Sequence, residues 1–169
     1  GIDITESDFR TCGEADAILF GAMGLPDVFF EDGTEIAPHL RIRDKYGLYA
    51  GVRPVKAYPN APIMLADKRA KNIDFVILRE STEGMFASRG KGEILNDRIA
   101  RDTMEITRGT SEKLFDFAFD LARKRKANGS RGEVTCVDKS NVFRSFAFFR
   151  KIFGERAALN PDIIASHNY

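Results

Sequence analysis

The sequence predicts an α/β fold, on three observations. Short apolar runs of strand character, ADAILFG at 15–21, IDFVIL at 73–78, EVTCV at 133–137 and IIAS at 163–166, are each bounded by polar or turn-forming residues. Segments of helical periodicity at 36–46, 111–128 and 142–153 alternate with them. No internal repeat or low-complexity tract competes with this alternation, which calls for a sheet under helical cover.

With 169 residues, 43% hydrophobic and 30% charged, the chain has the balance of a soluble globular protein that buries a core. Its 26 Lys+Arg against 25 Asp+Glu leave a formal charge of +1, so anion binding must be local and no nucleic-acid partner is expected. Cys12 and Cys136 lie far apart without a CxxC or a Cys/His pairing, which suggests neither a disulfide framework nor a zinc site and fits a reducing cytoplasm. No run approaches a membrane span, and the opening GIDITESDF lacks the basic end and apolar centre of a signal peptide. The missing initiator methionine, and a strand pattern running into the last residues, lead us to expect a fragment of a longer protein.

Taken in order, residues 15–21 form an expected buried strand, followed by AMGLPD with turn chemistry at Gly24, Pro26 and Asp27. Residues 36–46 are helical. GLYAGVRPVKAY at 47–58 is extended, because Pro54 drives Arg53 out of the helical region, and it is the expected crossing between domains. The strand at 73–78, expected to be covered on both faces, leads to a polar, glycine-bearing segment at 88–97 suited to a projecting loop or hairpin, with 100–107 extended. In the helix at 111–128, Leu114, Phe115, Ala118, Phe119, Leu121 and Ala122 share a face, bases gather at 123–126, and Asn128-Gly129 ends it. Phe146, Phe149 and Phe153 of the next helix make a core or dimer-facing stripe, which outweighs reading FRSFAFFRKIF as a nucleic-acid surface.

No GxGxxG opens a helix and no GxxxxGK[ST] is present, so neither Rossmann nor P-loop chemistry is supported. Four basic residues instead stand beside element ends: Arg43, Arg53, Arg79 and Lys139. Arg79-Glu80 admits two readings, a salt bridge at a strand terminus or a cation at the carboxyl end of a strand, where ligands collect. The planar fork of arginine matches carboxylates bidentately, so three converging would receive a di- or tricarboxylate, and Lys139 is a candidate to move a proton.

GLYAGVRPVK, RESTEG and VDKSNV, in this order and at these separations, resemble the isocitrate/isopropylmalate/tartrate dehydrogenase family. ADAILFGAMGLP ahead of them and LFDFAFDLARKRK between extend the resemblance over nearly the whole chain. It implies that family's α/β fold in a partial chain, with 1–48 from the large domain and 49–169 most of the smaller, dimer-forming domain. It also implies oxidation and decarboxylation of a 2-hydroxy di- or tricarboxylic acid, 3-isopropylmalate-like first and isocitrate or tartrate next, using NAD or NADP and Mg²⁺ or Mn²⁺. By resemblance, Arg43, Arg53 and Arg79 match the substrate-carboxylate arginines, and Lys139 matches the lysine that works on the hydroxyl proton across a homodimer. Asn141 matches a residue near the nicotinamide, and His39, with Ile36 and Leu40, faces the variable part of the substrate.

The chain departs from the family pattern twice. Phe86 stands where the family usually has a tyrosine that protonates the enolate carbon, and a phenyl ring has no proton to donate. The expected metal ligands lie beyond Tyr169, so no metal residue is assigned in this chain and the isolated chain is expected not to turn over. A noncatalytic carboxylate-binding or regulatory subunit of the same fold is the alternative. Glu80 and Glu83 are expected to partner nearby cations, and Asp138 to partner Lys139.

Overall fold

A computed structural model describes residues 3–31 and 33–169, and the chain divides into two compact units, Gly1–Leu48 and Tyr49–Tyr169. In the first unit, helix α1 (Glu6–Glu14) starts at a reciprocal cap: the Thr5 hydroxyl accepts from Asp8 N at 3.2 Å, and the Asp8 carboxylate accepts from Thr5 N at 2.9 Å. Helix α2 (Pro38–Tyr46) opens on Pro38, whose φ suits a first turn, and closes at Gly47, which supplies the left-handed φ of +57°. Phe9 and Ile42 are buried between these helices, and the Tyr46 hydroxyl donates to Phe9 O. The Arg41 guanidinium and the Lys45 ammonium lie 5.0 and 5.4 Å from the centre of the Phe9 ring.

The strand expected at 15–21 does not form. Residues 17–25 have no regular secondary structure, and Leu19 is 100% exposed. The apolar run satisfies the sequence pattern, but a strand also needs a ladder partner for its N–H and C=O groups. Among the described residues of this unit the only β pairing is the single bridge Phe29↔Glu35.

In the second unit, β1 (Gly51–Lys56) pairs antiparallel with β2 (Asp74–Arg79), and β3 (Glu93–Leu95) pairs antiparallel with β4 (Ile99–Arg101). Helix α3 (Arg108–Ala127) leads to β5 (Glu133–Val137), helix α4 (Arg144–Ala158) and β6 (Ile164–Asn168), which lies parallel to β5. The class is mixed α/β as expected, but the described strands form three two-stranded ladders rather than one sheet. The expected double coverage of β2 fails for the same reason. Val76 and Leu78 turn inward, while Phe75 and Ile77 remain 47% and 48% exposed on the other face of the ribbon.

Of the segment expected at 88–97 as a loop or hairpin, the part from Glu93 enters the hairpin β3–β4, whose turn is carried by Asn96 and Asp97 at positive φ and whose second strand ends at Arg101, short of the extended stretch expected at 100–107. Helix α3 starts earlier than its apolar periodicity, because Thr107 caps it through a bond from Thr110 N at 3.4 Å. Helix α4 starts later than expected, because the N–H groups of Val142 and Phe143 both donate to Lys139 O in a preceding turn.

The core lies where α3, α4 and β5 meet: Phe115, Phe119 and Ala122 from α3, Ile152 and Phe153 from α4, Cys136 from β5, and Ile163 before β6. Phe149 joins from the edge, whereas Phe146 is not part of this cluster, so the expected stripe is shifted toward Phe149, Ile152 and Phe153. Arg156 pairs with Asp116 at 2.5 Å, and Arg108 with Glu155 at 2.6 Å, across the two helices. No helix of the described residues is long and apolar enough to cross a membrane.

Ile152 is completely buried, so Ile152→Ala leaves a cavity and is expected to destabilise the unit by about 3 kcal/mol, against about 1 kcal/mol for Ile152→Val. Urea unfolding of the two variants measures the difference, and equal midpoints for Ile152→Ala and the parent would remove Ile152 from the core.

Candidate functional site

The register of the β1–β2 ribbon places Arg53 and Arg79 together. Arg53 stands opposite Ile77, and Arg79 opposite Gly51, so both arginines fall on the exposed face as a diagonal pair roughly 7 Å apart. A Cβ on Gly51 would sit 3.1 Å from the backbone carbonyl oxygen of Arg79, so glycine permits the close approach of the two strands at this pair. No hydrogen bond or ion pair among the described residues neutralises either guanidinium. Two adjacent, unpaired guanidiniums at the end of a ribbon make a receptor for an anion with more than one oxygen.

Arg79 is supported from below by Phe86, whose ring centre lies 5.7 Å from the guanidinium carbon. The loop between them is fixed by its own carboxylates. Glu80 accepts from the Thr82 hydroxyl, from Thr82 N at 2.6 Å and from Glu83 N at 2.8 Å. Glu83 accepts from Thr107 N at 2.8 Å and from the Thr107 hydroxyl at 2.5 Å, tying the loop to the cap of α3. Glu80 and Glu83 are therefore structural, but their partners are backbone amides and threonines instead of the expected cations. Gly84, at φ +70°, exchanges backbone hydrogen bonds with Glu105 and leads into the short 3₁₀ helix Met85–Ser88 that carries Phe86. A largely apolar cavity of about 940 Å³ adjoins Arg79 and Phe86 and is bordered by β2, β5, α3 and α4.

Lys139 and Asn141 lie together in the turn between β5 and α4, both exposed. Asp138 is not the partner of Lys139, because the in–out alternation of β5 continues past its end and sends the two side chains to opposite sides. The Asp138 carboxylate is fully buried and accepts from Arg150 Nε at 2.5 Å, Ser140 N at 2.7 Å and Cys136 Sγ at 3.4 Å. Burial alone would raise its pKa; the bonds from Arg150, Ser140 and Cys136 outweigh that and hold it below 3.8. Burial, with the Asp138 carboxylate beside it, pushes the Cys136 thiol up to about 12. Arg150 also donates to Asn168 O at 3.2 Å and stacks 5.3 Å from the Tyr169 ring centre, which joins α4 to the end of β6.

In the first unit, His39 and Arg43 stand one turn apart on α2 and line a cavity of about 400 Å³ with Phe20, Met23, Ile42 and Leu48. This pairs a guanidinium and an imidazole with an apolar wall. Phe20 and Met23 were not singled out as site residues in the sequence, where they lie in an apparent strand and turn. Arg150 was also missed, although a base at the centre of an apolar helix is itself a sign of a buried partner. No group of three or more His, Cys, Asp or Glu among the described residues gathers to hold a metal ion.

The family model described as isocitrate/isopropylmalate dehydrogenase matches residues 1–169. The chain is 36% identical over its whole length to a 3-isopropylmalate/3-methylmalate dehydrogenase of Methanocaldococcus jannaschii, covering 46% of that protein. It is 33% identical, over 99% of its length and 47% of the relative, to a 3-isopropylmalate dehydrogenase of Staphylococcus aureus. The chain thus spans about half the length of the curated relatives it matches. The crystal structure of the TT0538 protein from Thermus thermophilus superposes with a TM-score of 0.81 at 28% identity, covering 97% of this chain and 31% of that one. An isocitrate dehydrogenase from Methylococcus capsulatus shares the fold, with a TM-score of 0.71 at 24% identity over 98% of this chain and 46% of that one.

Two measurements probe the buried node at the end of β5. With its thiol raised to about 12, Cys136 is expected to resist iodoacetamide at mildly alkaline pH while Cys12 reacts, until urea exposes both. Mass spectrometry of the two cysteine peptides reads this, and equal labelling would mean that Cys136 is open. A carboxyl with a lowered folded pKa stabilises above its unfolded value and loses that contribution as pH falls through the folded pKa. Acid unfolding is therefore expected to include a component below pH 3.8 that Asp138→Asn removes, at a cost near neutrality of about 3 kcal/mol.

Proposed function

The chain belongs to the isocitrate/isopropylmalate dehydrogenase family, and from that premise we propose that the protein containing it oxidises and decarboxylates a 2-hydroxy di- or tricarboxylic acid. The hydride acceptor in this reading is NAD or NADP, and Mg²⁺ or Mn²⁺ when bound supplies a Lewis acid for the forming carbonyl. The observation that carries the proposal is the unpaired diagonal of Arg53 and Arg79, a site that an oxygen-rich dianion would complete.

In the proposed mechanism, Arg53 and Arg79 bind a substrate carboxylate and fix its orientation, with Phe86 holding the Arg79 guanidinium in plane. In the first unit, Arg43 offers a carboxylate-binding guanidinium of its own. The apolar wall beside it, Phe20, Met23 and Leu48, favours an acid with a small alkyl substituent, which supports a 3-isopropylmalate-like substrate ahead of isocitrate or tartrate. His39 sits at the polar edge of that wall and tunes the choice. Lys139 takes the hydroxyl proton, and Asn141 beside it contacts the nicotinamide end of the cofactor. The exposure of Lys139 supports a role in the site of a second copy, in a homodimer. Two free cysteines support a cytoplasmic setting.

A second reading is favoured by Phe86: a carboxylate-binding subunit that keeps the arginines and lacks the phenol. Turnover separates the two. The full-length gene product is expected to form NAD(P)H with at least one of 3-isopropylmalate, isocitrate and tartrate in the presence of Mg²⁺ or Mn²⁺. Binding of these acids with no NAD(P)H from any of them would establish the second reading.

Arg53→Gln and Arg79→Gln are each expected to weaken acid binding roughly 10- to 150-fold, the loss of a charge-assisted pair worth about 1.5–3 kcal/mol. Arg79→Lys should recover little of it, since an ammonium lacks the fork. Calorimetric titration gives the numbers, and unchanged affinity in both glutamine variants would remove the pair from the site.

A further inference from the structure

Asp138 is the sole carboxylate in residues 134–154 and 163–169, the stretches that build the ends of β5 and β6 and the first turns of α4. Along the same stretches the Lys and Arg side chains are Lys139, next in sequence, with Arg144, Arg150 and Lys151 on α4. Of these the structure pairs Asp138 with Arg150. The Arg150 Nε meets Asp138 Oδ2 at 2.5 Å, with the guanidinium held against the Tyr169 ring and Asn168 O. Ser140 N and Cys136 Sγ occupy other acceptor positions of the same carboxylate. Lys139 is left exposed, with no hydrogen bond or ion pair to its ammonium among the described residues.

We propose that Arg150 is a positioning residue for Lys139: by holding the Asp138 carboxylate inward, it keeps that carboxylate from capturing the adjacent ammonium. The proposal rests on the reading in which Lys139 takes a substrate proton, because only an ammonium free of a fixed carboxylate readily becomes an amine that can accept one. Without Arg150, a buried and unpaired Asp138 must protonate or turn outward. A carboxylate that turns outward leaves the buried side for the exposed side of the chain, where Lys139 stands without a partner among the described residues. A carboxylate beside Lys139 favours its charged form and removes it from proton transfer.

Amine acylation of the full-length gene product tests this without any substrate. A succinimidyl ester is applied at about pH 8, where exposed lysines react through their small amine fraction, and each lysine is quantified by peptide mass spectrometry. The exposed helix residues Lys113 and Lys124 serve as internal references. Arg150→Gln is expected to slow Lys139 relative to them about three- to tenfold, and adding Asp138→Asn to restore the rate to near the parent's. A general loosening of the turn would not be reversed by removing the carboxylate. An unchanged or faster Lys139 in Arg150→Gln, or a double variant as slow as the single one, overturns the proposal. Should Arg150→Gln not fold, Arg150→Lys replaces it with a smaller slowing expected, and an unaltered Lys139 rate in that variant is equally fatal. A protein that turns over no hydroxy acid would sink the reading of function, and the labelling would still decide this one.

Discussion

Phe119 and Phe153 stack with ring centres 5.7 Å apart, and Phe115 meets Phe153 edge-on at 5.3 Å and Phe149 at 4.5 Å. Each buried ring contributes about 2–3 kcal/mol of apolar burial, and together they hold α3 and α4 as one body. The rest of the second unit hangs from that contact. Cys136 seats β5 in the same cluster, and α4 is the crossover that brings β6 alongside. At the other end of α3, its cap residue Thr107 is gripped by Glu83, so the helix fixes the loop that carries Phe86 and, through Phe86, the direction of Arg79. A packing interaction remote from the arginines therefore orients one of them.

What the sequence made legible follows from range of interaction. Helices α2, α3 and α4 satisfy their backbone groups within themselves, so periodicity, with Asn128-Gly129 as the stop of α3, located them to within a few residues. Strand character was legible at 73–78 and 133–137 for the same local reasons, but a ladder requires a second segment that no local pattern names. The run at 15–21 has the composition without a partner and stays irregular, and β2 finds one neighbour and leaves Phe75 and Ile77 open. In the site, Arg53 and Arg79 were recognisable by motif. That they share a face depends on the β1–β2 register, which neither motif contains. The assignment of Asp138 to Lys139 failed because nearness along a strand is the wrong measure: neighbours point to opposite sides, and the partner of a buried residue comes from the element packed above it.

Electrostatics separates the arginines into two kinds. Arg108, Arg123, Arg125 and Arg156 reach carboxylates on other segments, ties that hold α3 to α4, to β2 and to the approach to β6. Arg53 and Arg79 have no such partner, and like charges side by side on one face of a ribbon repel. A ribbon end that carries this cost unrelieved gains in two ways when an anion arrives, from the new attraction and from the repulsion it screens. The strongly paired arginines have no comparable gain to offer. The same logic makes Arg150 unlike both kinds: its carboxylate is buried, so its service is to confine a charge rather than to receive one.

Phe86 brings the two halves of the site's chemistry into conflict. A phenyl face and a phenol face present similar negative charge to a guanidinium, so either supports Arg79 equally well, and the stacking in this chain needs no hydroxyl. Proton donation needs the hydroxyl and nothing else of the ring. The position therefore separates binding from protonation. A chain with phenylalanine here retains the oriented carboxylate receptor while lacking the phenolic acid that the family resemblance leads one to expect. If the protein decarboxylates its substrate, the enolate must take its proton from elsewhere, either from solvent reaching the exposed face of the β1–β2 ribbon or from an acid outside this loop.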